Sequence, residues 1–262
     1  NVSVTGGTST DGFSFTNAGS VAGNVNGGGA PGANTLTGDA DGNAFQITGP
    51  NAGTLAAKIV GTWSNIGTLT GGAGTDTFTF DNLGTLSGSL NGALGTDTLN
   101  VSAIVAPPAV AITATGGVDG FQGTAAPITG GFDNINAITG GSLTIGLVNG
   151  NLTYNATTGD FTLLIVPVTL GTSALNSLTI NGSAADNTLT VDASAGDTAL
   201  QAITTGIRFN GGAQVTSDML AVIGDGNNDI LVYAPSAATQ GDGTLTLNAK
   251  TITFTGLEPV DI

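Results

Sequence analysis

The chemistry most legible in this chain is that of aspartate set among glycines. Gly71-Gly-Ala-Gly-Thr-Asp76-Thr-Phe78-Thr follows the nonapeptide pattern Gly-Gly-x-Gly-x-Asp-x-apolar-x. In that pattern the glycines let carbonyl oxygens converge on a cation, the aspartate supplies a carboxylate, and the apolar residue fills the interior. Gly92-Ala-Leu-Gly-Thr-Asp97-Thr-Leu99 is a weaker copy, and Gly224-Asp-Gly-Asn-Asn-Asp229-Ile-Leu231 a weaker one again. Asp76, Asp97 and Asp229 are therefore candidate calcium ligands. Calcium takes about six to eight oxygens, and the pattern supplies them by recurring in tandem, whereas Asp76 and Asp97 stand 21 residues apart. The competing reading makes Gly-Thr-Asp-Thr a tight corner ahead of a strand. Calcium at one or more of these corners and the bare corner are both carried forward.

Other chemistry finds little support. The chain has no Cys and no His, so disulfides, thiolate nucleophiles and the commonest general base and zinc ligand are all missing. Asp39 with Asp41, and Asp225 with Asp229, are the closest Asp pairs in sequence. A glycosidase needs two carboxylates facing a sugar cleft, but both pairs lie in glycine-rich turns, where Asp serves the backbone. Trp63, Tyr154 and Tyr233 offer no sugar-stacking platform, and the expectation is that the protein is not an enzyme. Thr-x-Thr pairs such as Thr75/Thr77/Thr79 and Thr251/Thr253/Thr255 are ordinary outward strand residues, at spacings too uneven for an ice-binding array. Sequons at Asn1, Asn100, Asn151, Asn155 and Asn181 leave glycosylation open.

Those residues must be positioned by β-structure. Four segments read nearly alike: Phe15-Thr-Asn-Ala-Gly-Ser-Val-Ala-Gly, Trp63-Ser-Asn-Ile-Gly-Thr-Leu-Thr-Gly, Phe80-Asp-Asn-Leu-Gly-Thr-Leu-Ser-Gly and Phe132-Asp-Asn-Ile-Asn-Ala-Ile-Thr-Gly. Internal copies of this size mark a stack of small units. Their Asn is the expected corner residue, since it tolerates left-handed backbone. Thr77-Phe-Thr-Phe80 and Thr98-Leu-Asn-Val101 alternate with period two, as strands with one face in a core do. Helix-favouring Glu, Lys, Arg and Met are almost absent. The expected fold is all-β: a parallel β-solenoid, β-helix-like, with about 16 to 26 residues per coil, followed by a second β-rich unit. A β-sandwich is the alternative.

Three regions are expected. Residues 1–141 are the solenoid repeat, with the stretch around Pro107-Pro108 leaving the stack as a loop or edge strand. Residues 142–176 hold a hairpin turning at Asn149-Gly150-Asn151 and an apolar strand over 161–170. Residues 177–262 form the second unit, closing on a hairpin at Asn248-Ala249. Asn1-Val-Ser-Val4 and Thr251-Ile-Thr-Phe254 read as uncapped strands, which makes Val2, Val4, Ile252 and Phe254 candidates for head-to-tail assembly.

Charge narrows the partners. Three Lys and Arg against 18 acidic residues leave a net charge of −15, which disfavours nucleic acid and anionic membranes alike. The apolar run at 161–170 is only ten residues long, too short to span a bilayer. The chain opens without Met or a leader, as a mature product or an excised segment does.

The residues from Trp63 through Phe80, taken with Gly95-Thr-Asp-Thr-Leu-Asn-Val101, resemble the repeats of giant secreted bacterial surface proteins. These are the β-strand-repeat adhesins, related in style to filamentous-haemagglutinin and calcium-roll exoproteins. Thr251-Ile-Thr-Phe-Thr-Gly-Leu-Glu-Pro-Val260 is similar to a segment of very large exported proteins. The resemblance covers well under half of the chain. It implies an extracellular or cell-surface protein with structural or adhesive work, and calcium stiffening in the calcium-roll members. The expectation is a subunit of a filament, surface layer or matrix fibre that partners itself. The alternative is an adhesin module that binds a glycan or surface, stiffened by calcium.

Overall fold

The computed structural model describes residues 2–146, 150–163, 168–212 and 217–257. It is an all-β, solenoid-like protein with parallel-rich sheets, interrupted by the short helix Thr198–Ala202. The chain divides into two compact units, Asn1–Gly140 and Gly141–Ile262.

In the first unit the chain alternates between two sheets. One sheet runs, in spatial order, Val4–Thr5, Val25–Asn26, Trp63–Ser64, Ala52–Leu55, Ala44–Gly49, Thr77–Phe80, Thr98–Asn100 and Ala137–Thr139. The other runs Gly12–Ser14, Thr35–Thr37, Thr68–Gly72, Leu90–Ala93, Ile128–Ile135, Phe121–Ala125 and Ala109–Thr115. Successive passes pair in parallel, as Thr98 with Thr77 and Thr68 with Thr35. A sandwich of hairpins would instead pair neighbours in sequence.

The alternation in sequence produces this core directly. In Thr77–Phe80 the threonines face outward and both phenylalanines are buried. Register then stacks like on like across coils: Leu36, Leu69, Leu90 and Phe132 form one inward column, and Phe45, Phe78, Leu99 and Ile138 another. Phe45 and Phe78 lie with ring centroids 4.9 Å apart and planes 11° from parallel. Each fully buried Leu or Phe contributes roughly 1.5–3 kcal/mol, so the columns supply the main cohesion between coils.

The plain coils keep to the expected 16 to 26 residues, and passes that carry extra strands exceed it. Val4 pairs with Val25, Leu69 with Leu90 and Phe78 with Leu99, each 21 residues on. Elsewhere antiparallel strands are inserted, and Phe132 lies 42 residues beyond its partner Leu90. One insertion is the Ala44–Gly49, Ala52–Leu55, Trp63–Ser64 meander; the other joins Ala109–Thr115, Phe121–Ala125 and Ile128–Ile135. The four repeat copies consequently do not stack as equivalents: Trp63 and Phe80 lie in one sheet, Phe132 in the other. All four aromatic residues are nonetheless buried, and Asn17, Asn65 and Asn134 turn at φ 52°, 55° and 55°. Asn82, in the remaining copy, does not adopt positive φ.

The second unit repeats the scheme with longer coils. Ser142–Gly146, Ser177–Asn181, Ile207–Asn210 and Lys250–Thr255 pair in parallel, and Lys250–Thr255 continues antiparallel through Gly243–Leu247 to Leu231–Pro235. The other sheet of this unit runs Val168–Ser173, Phe161–Leu163, Gly150–Asn155, Asn187–Asp192 and Met219–Ile223. Two expectations are corrected here. The strands flanking Asn149 do not pair with each other, because Ser142–Gly146 and Gly150–Asn155 belong to different sheets; residues 147–149 lie outside the described residues. The apolar run 161–170 is not one strand, because Phe161–Leu163 pairs antiparallel with Val168–Ser173. Residues 164–167 also lie outside the described residues.

Candidate functional site

Four strands of one sheet in the first unit are each entered through a corner carrying Asn or Asp. Asn43, Asp76, Asp97 and Asn136 immediately precede Ala44–Gly49, Thr77–Phe80, Thr98–Asn100 and Ala137–Thr139. Parallel register sets these four residues one above another. The Asn43 amide donates to Asp76 Oδ1 at 2.6 Å, the Asp76 amide to Asp97 Oδ1 at 2.8 Å, and the Asp97 amide to Asn136 Oδ1 at 2.9 Å. The side chains of Asp76, Asp97 and Asn136 thus each cap the N–H one coil back, while Asn43 Oδ1 accepts from Asp39 N in its own corner. Backbone bonds from Thr77 N to Asn43 O and from Thr98 N to Asp76 O lock the same corners. On the other sheet Asn34 accepts from Asp11 N at 2.8 Å, and in the second unit Asp218 accepts from Asn187 N at 2.6 Å.

A glycine five residues before the acid or amide completes the corner. At Gly71 an added Cβ would collide with Asp76 Oδ2 and Gly92 O, and at Gly92 with Asp97 Oδ2 and Asn134 O. Gly6 with Asp11, Gly38 with Asn43 and Gly224 with Asp229 repeat the spacing and the collision. The side chain therefore folds back over bare backbone. Sequence reasoning found Asp76, Asp97 and Asp229 but missed Asn34, Asn43, Asn136, Asn187 and Asp218. The Gly-x-x-x-x-Asx spacing would have identified Asn43 and Asn187.

Asp76 and Asp97 are wholly buried, and each has its second oxygen without a hydrogen-bond partner. The Gly72 amide lies close enough to favour the Asp76 anion but short of hydrogen-bond geometry. Burial nevertheless pushes Asp76 above the usual carboxylate range, and Asp97 up to about 7, with the neighbouring Asp76 and Asp119 charges adding to the rise at Asp97.

The calcium expectation is tested by this donor set. Among the described residues no group of three or more His, Cys, Asp or Glu is disposed to hold a metal. Oδ1 of Asp76 and of Asp97 is occupied by an amide, which leaves one carboxylate oxygen and one facing carbonyl per corner. Two oxygens per corner fall far short of the about six to eight, at roughly 2.4 Å, that calcium takes. The residues present do not fit calcium. Asp229 lies in the second unit, where it accepts from Asp225 N at 3.0 Å and from Asn248 Nδ2 at 2.8 Å.

The acidic pairs are structural as well. Asp39 is buried and ion-paired with Lys58, whose hydrogen bond holds its carboxyl below the usual range. Asp225 accepts from Asn227 N at 2.8 Å, closing its own turn.

The assembly candidates separate into two classes. Val4 lies on the edge strand Val4–Thr5, 38% exposed, and Val2 is 72% exposed. Ile252 and Phe254 are buried inside their sheet, because Lys250–Thr255 is paired on both sides. The open edges of the second unit are Leu231–Pro235 and Met219–Ile223. There the core is unfinished: Leu220 and Val222 are half-buried, although Leu189 and Val191, their register partners, are fully buried. At the first unit's edge Val4 and Phe13 continue the columns of Val25 and Leu36 in the same half-covered state.

No family model, no curated protein and no solved structure matches the chain.

Proposed function

We propose that the protein is a non-enzymatic, extracellular structural subunit that assembles head to tail with copies of itself. The half-covered core columns carry this reading. Val4 and Phe13 at an edge of the first unit, and Leu220 and Val222 at an edge of the second, are core residues by register, each lacking the next coil. An open parallel edge presents unpaired N–H and C=O groups together with that apolar surface, so a further coil is the occupant it fits best. A second copy supplies one. Such a heterologous contact does not close on itself and repeats into a filament. The Cys-free, acidic, threonine-rich composition and the resemblance to secreted bacterial surface repeats support a place outside the cell.

The contact surface differs from the terminal strands read from sequence. On the second unit it comprises Met219–Ile223 and Leu231–Pro235, with Ile252 and Phe254 one or more strands inside. Electron microscopy and sedimentation of the purified chain test the proposal. Filaments are expected for the wild type, and dispersed, folded particles for deletion of residues 1–5 and for Val222→Asp. Filaments that survive both changes would sink the idea.

A further inference from the structure

We propose that Asp76 and Asp97 stand in the folded protein as neutral carboxylic acids, each donating its Oδ2–H to the carbonyl of the next coil, so that the first unit is a stack strengthened by acid and loosened by alkali. The inference is independent of the assembly reading above.

The geometry of an amide corner carries it. Asn34 Nδ2 donates to Asn65 O at 2.9 Å, across the space that a Cβ on Gly27 would occupy. Asn65 O belongs to the next coil, where Asn26 pairs with Ser64. At Gly71 the same arrangement recurs with Asp76 Oδ2 in the place of the amide nitrogen and Gly92 O in the place of Asn65 O. At Gly92 it recurs again, with Asp97 Oδ2 and Asn134 O. Where asparagine sets a donor against a carbonyl, aspartate sets a second oxygen. Two acceptors set against each other in a buried corner repel, and Oδ2 of each aspartate lacks the hydrogen bond that burial demands. A proton on Oδ2 converts the carboxyl into the shape and polarity of the amide. It leaves Oδ1 free to accept from the Asn43 and Asp76 amides, as it does here.

The surroundings favour the neutral form. Asp39, in the loop after Thr35–Thr37, faces Asp76, and Asp76 and Asp119 face Asp97. Asn43 hydrogen-bonds Asp76 and Lys58 neutralises Asp39, but among the described residues no cation pairs with Asp76 or Asp97. Burial agrees, holding Asp97 at about 7 against 3.8 for an ordinary aspartate. A folded-state value raised in this way gives stability that is complete below about pH 4. That stability falls between about pH 4 and 7 as the unfolded chain, and then the folded one, ionises, and it stays low above.

Thermal melting across that window, at fixed ionic strength, tests the proposal on the intact chain. Asp97→Asn and Asp76→Asn carry the donor permanently. Each is expected to melt higher than wild type at about pH 8 and to show a flatter dependence on pH. Carboxyl-detected NMR of the wild type provides the reading should a variant fail to fold: two carboxyls are expected to remain protonated at a pH where free aspartate is fully ionised. Asparagine variants that melt lower at alkaline pH, or two carboxyls that titrate near 3.8, would overturn the assignment. So would calcium, if at alkaline pH it restored the wild-type melting temperature as fully as acid does, since the corner would then hold a cation in the proton's place.

Discussion

At the scale of single residues, the corners show how a low-complexity sequence fixes register. An aspartate or asparagine before a strand is generic, but one whose Oδ1 caps the amide of the coil behind specifies which coil that is. The glycine five residues earlier is part of the same device. Gly71 and Gly92 lie under carboxyl groups and against backbone carbonyls that have nowhere to move. Gly71→Ala and Gly92→Ala are each expected to destabilise by about 1–3 kcal/mol, the usual range for overpacking. Gly49 makes the matched control, since an added Cβ there meets nothing within 4 Å. Gly49→Ala should stay within about 0.5 kcal/mol of wild type. Denaturant midpoints read the difference directly, and equal midpoints for Gly71→Ala and Gly49→Ala would remove the glycine from the corner's design.

At the scale of elements, the final hairpin shows a turn whose residues are half right for its geometry. Gly243–Leu247 and Lys250–Thr255 are joined by Asn248 at φ 47° and Ala249 at φ 75°, both left-handed. Two-residue hairpin loops of this hand prefer Asn-Gly, and alanine in the second place carries roughly 1 kcal/mol of strain. Ala249→Gly is expected to raise the melting temperature by about 2–4 °C; an unchanged or lower value would mean that the turn is not under strain. This hairpin was legible in the sequence because two alternating runs meet at two turn residues. Thr77–Phe80 was legible for the same local reason. The longer passes were not, since the meanders through Ala52–Leu55 and Phe121–Ala125 lengthen a pass without altering the inward alternation that identifies its strands. The turn at Asn149 misled in the converse way: its flanking runs have strand pattern and turn residues, yet their partners, Ser177–Asn181 and Asn187–Asp192, lie later in the chain. Likewise Asp76 and Asp97 could be found as residues, but the pairing of Thr77 with Thr98 is what shows that one caps the other. Register is a long-range property, and composition this repetitive encodes it weakly.

At the scale of the whole molecule, charge opposes the assembly that the open edges favour. Copies with a formal charge of −15 each must approach closely, and there are three cations per chain to form ion pairs across a contact. All three are already engaged within the chain: Lys58 with Asp39, Arg208 with Asn210, and Lys250 with the carbonyl of Ile203. Attraction between copies must then come chiefly from the half-covered columns and the unpaired strand edges, while the net electrostatic contribution is repulsive. Salt separates the two terms. The screening length shrinks from about 30 Å at 0.01 M to about 8 Å at 0.15 M, which removes repulsion between surfaces and leaves apolar contact intact. Sodium chloride over that range is therefore expected to increase the assembled fraction in sedimentation, and sodium sulfate, which strengthens apolar burial as well, to do so at lower ionic strength. An interface held by ion pairs would respond in the opposite sense. Filaments that dissolve as salt rises would show that copies meet through charged surfaces, and Val4, Phe13, Leu220 and Val222 would then have to be covered by something other than another copy.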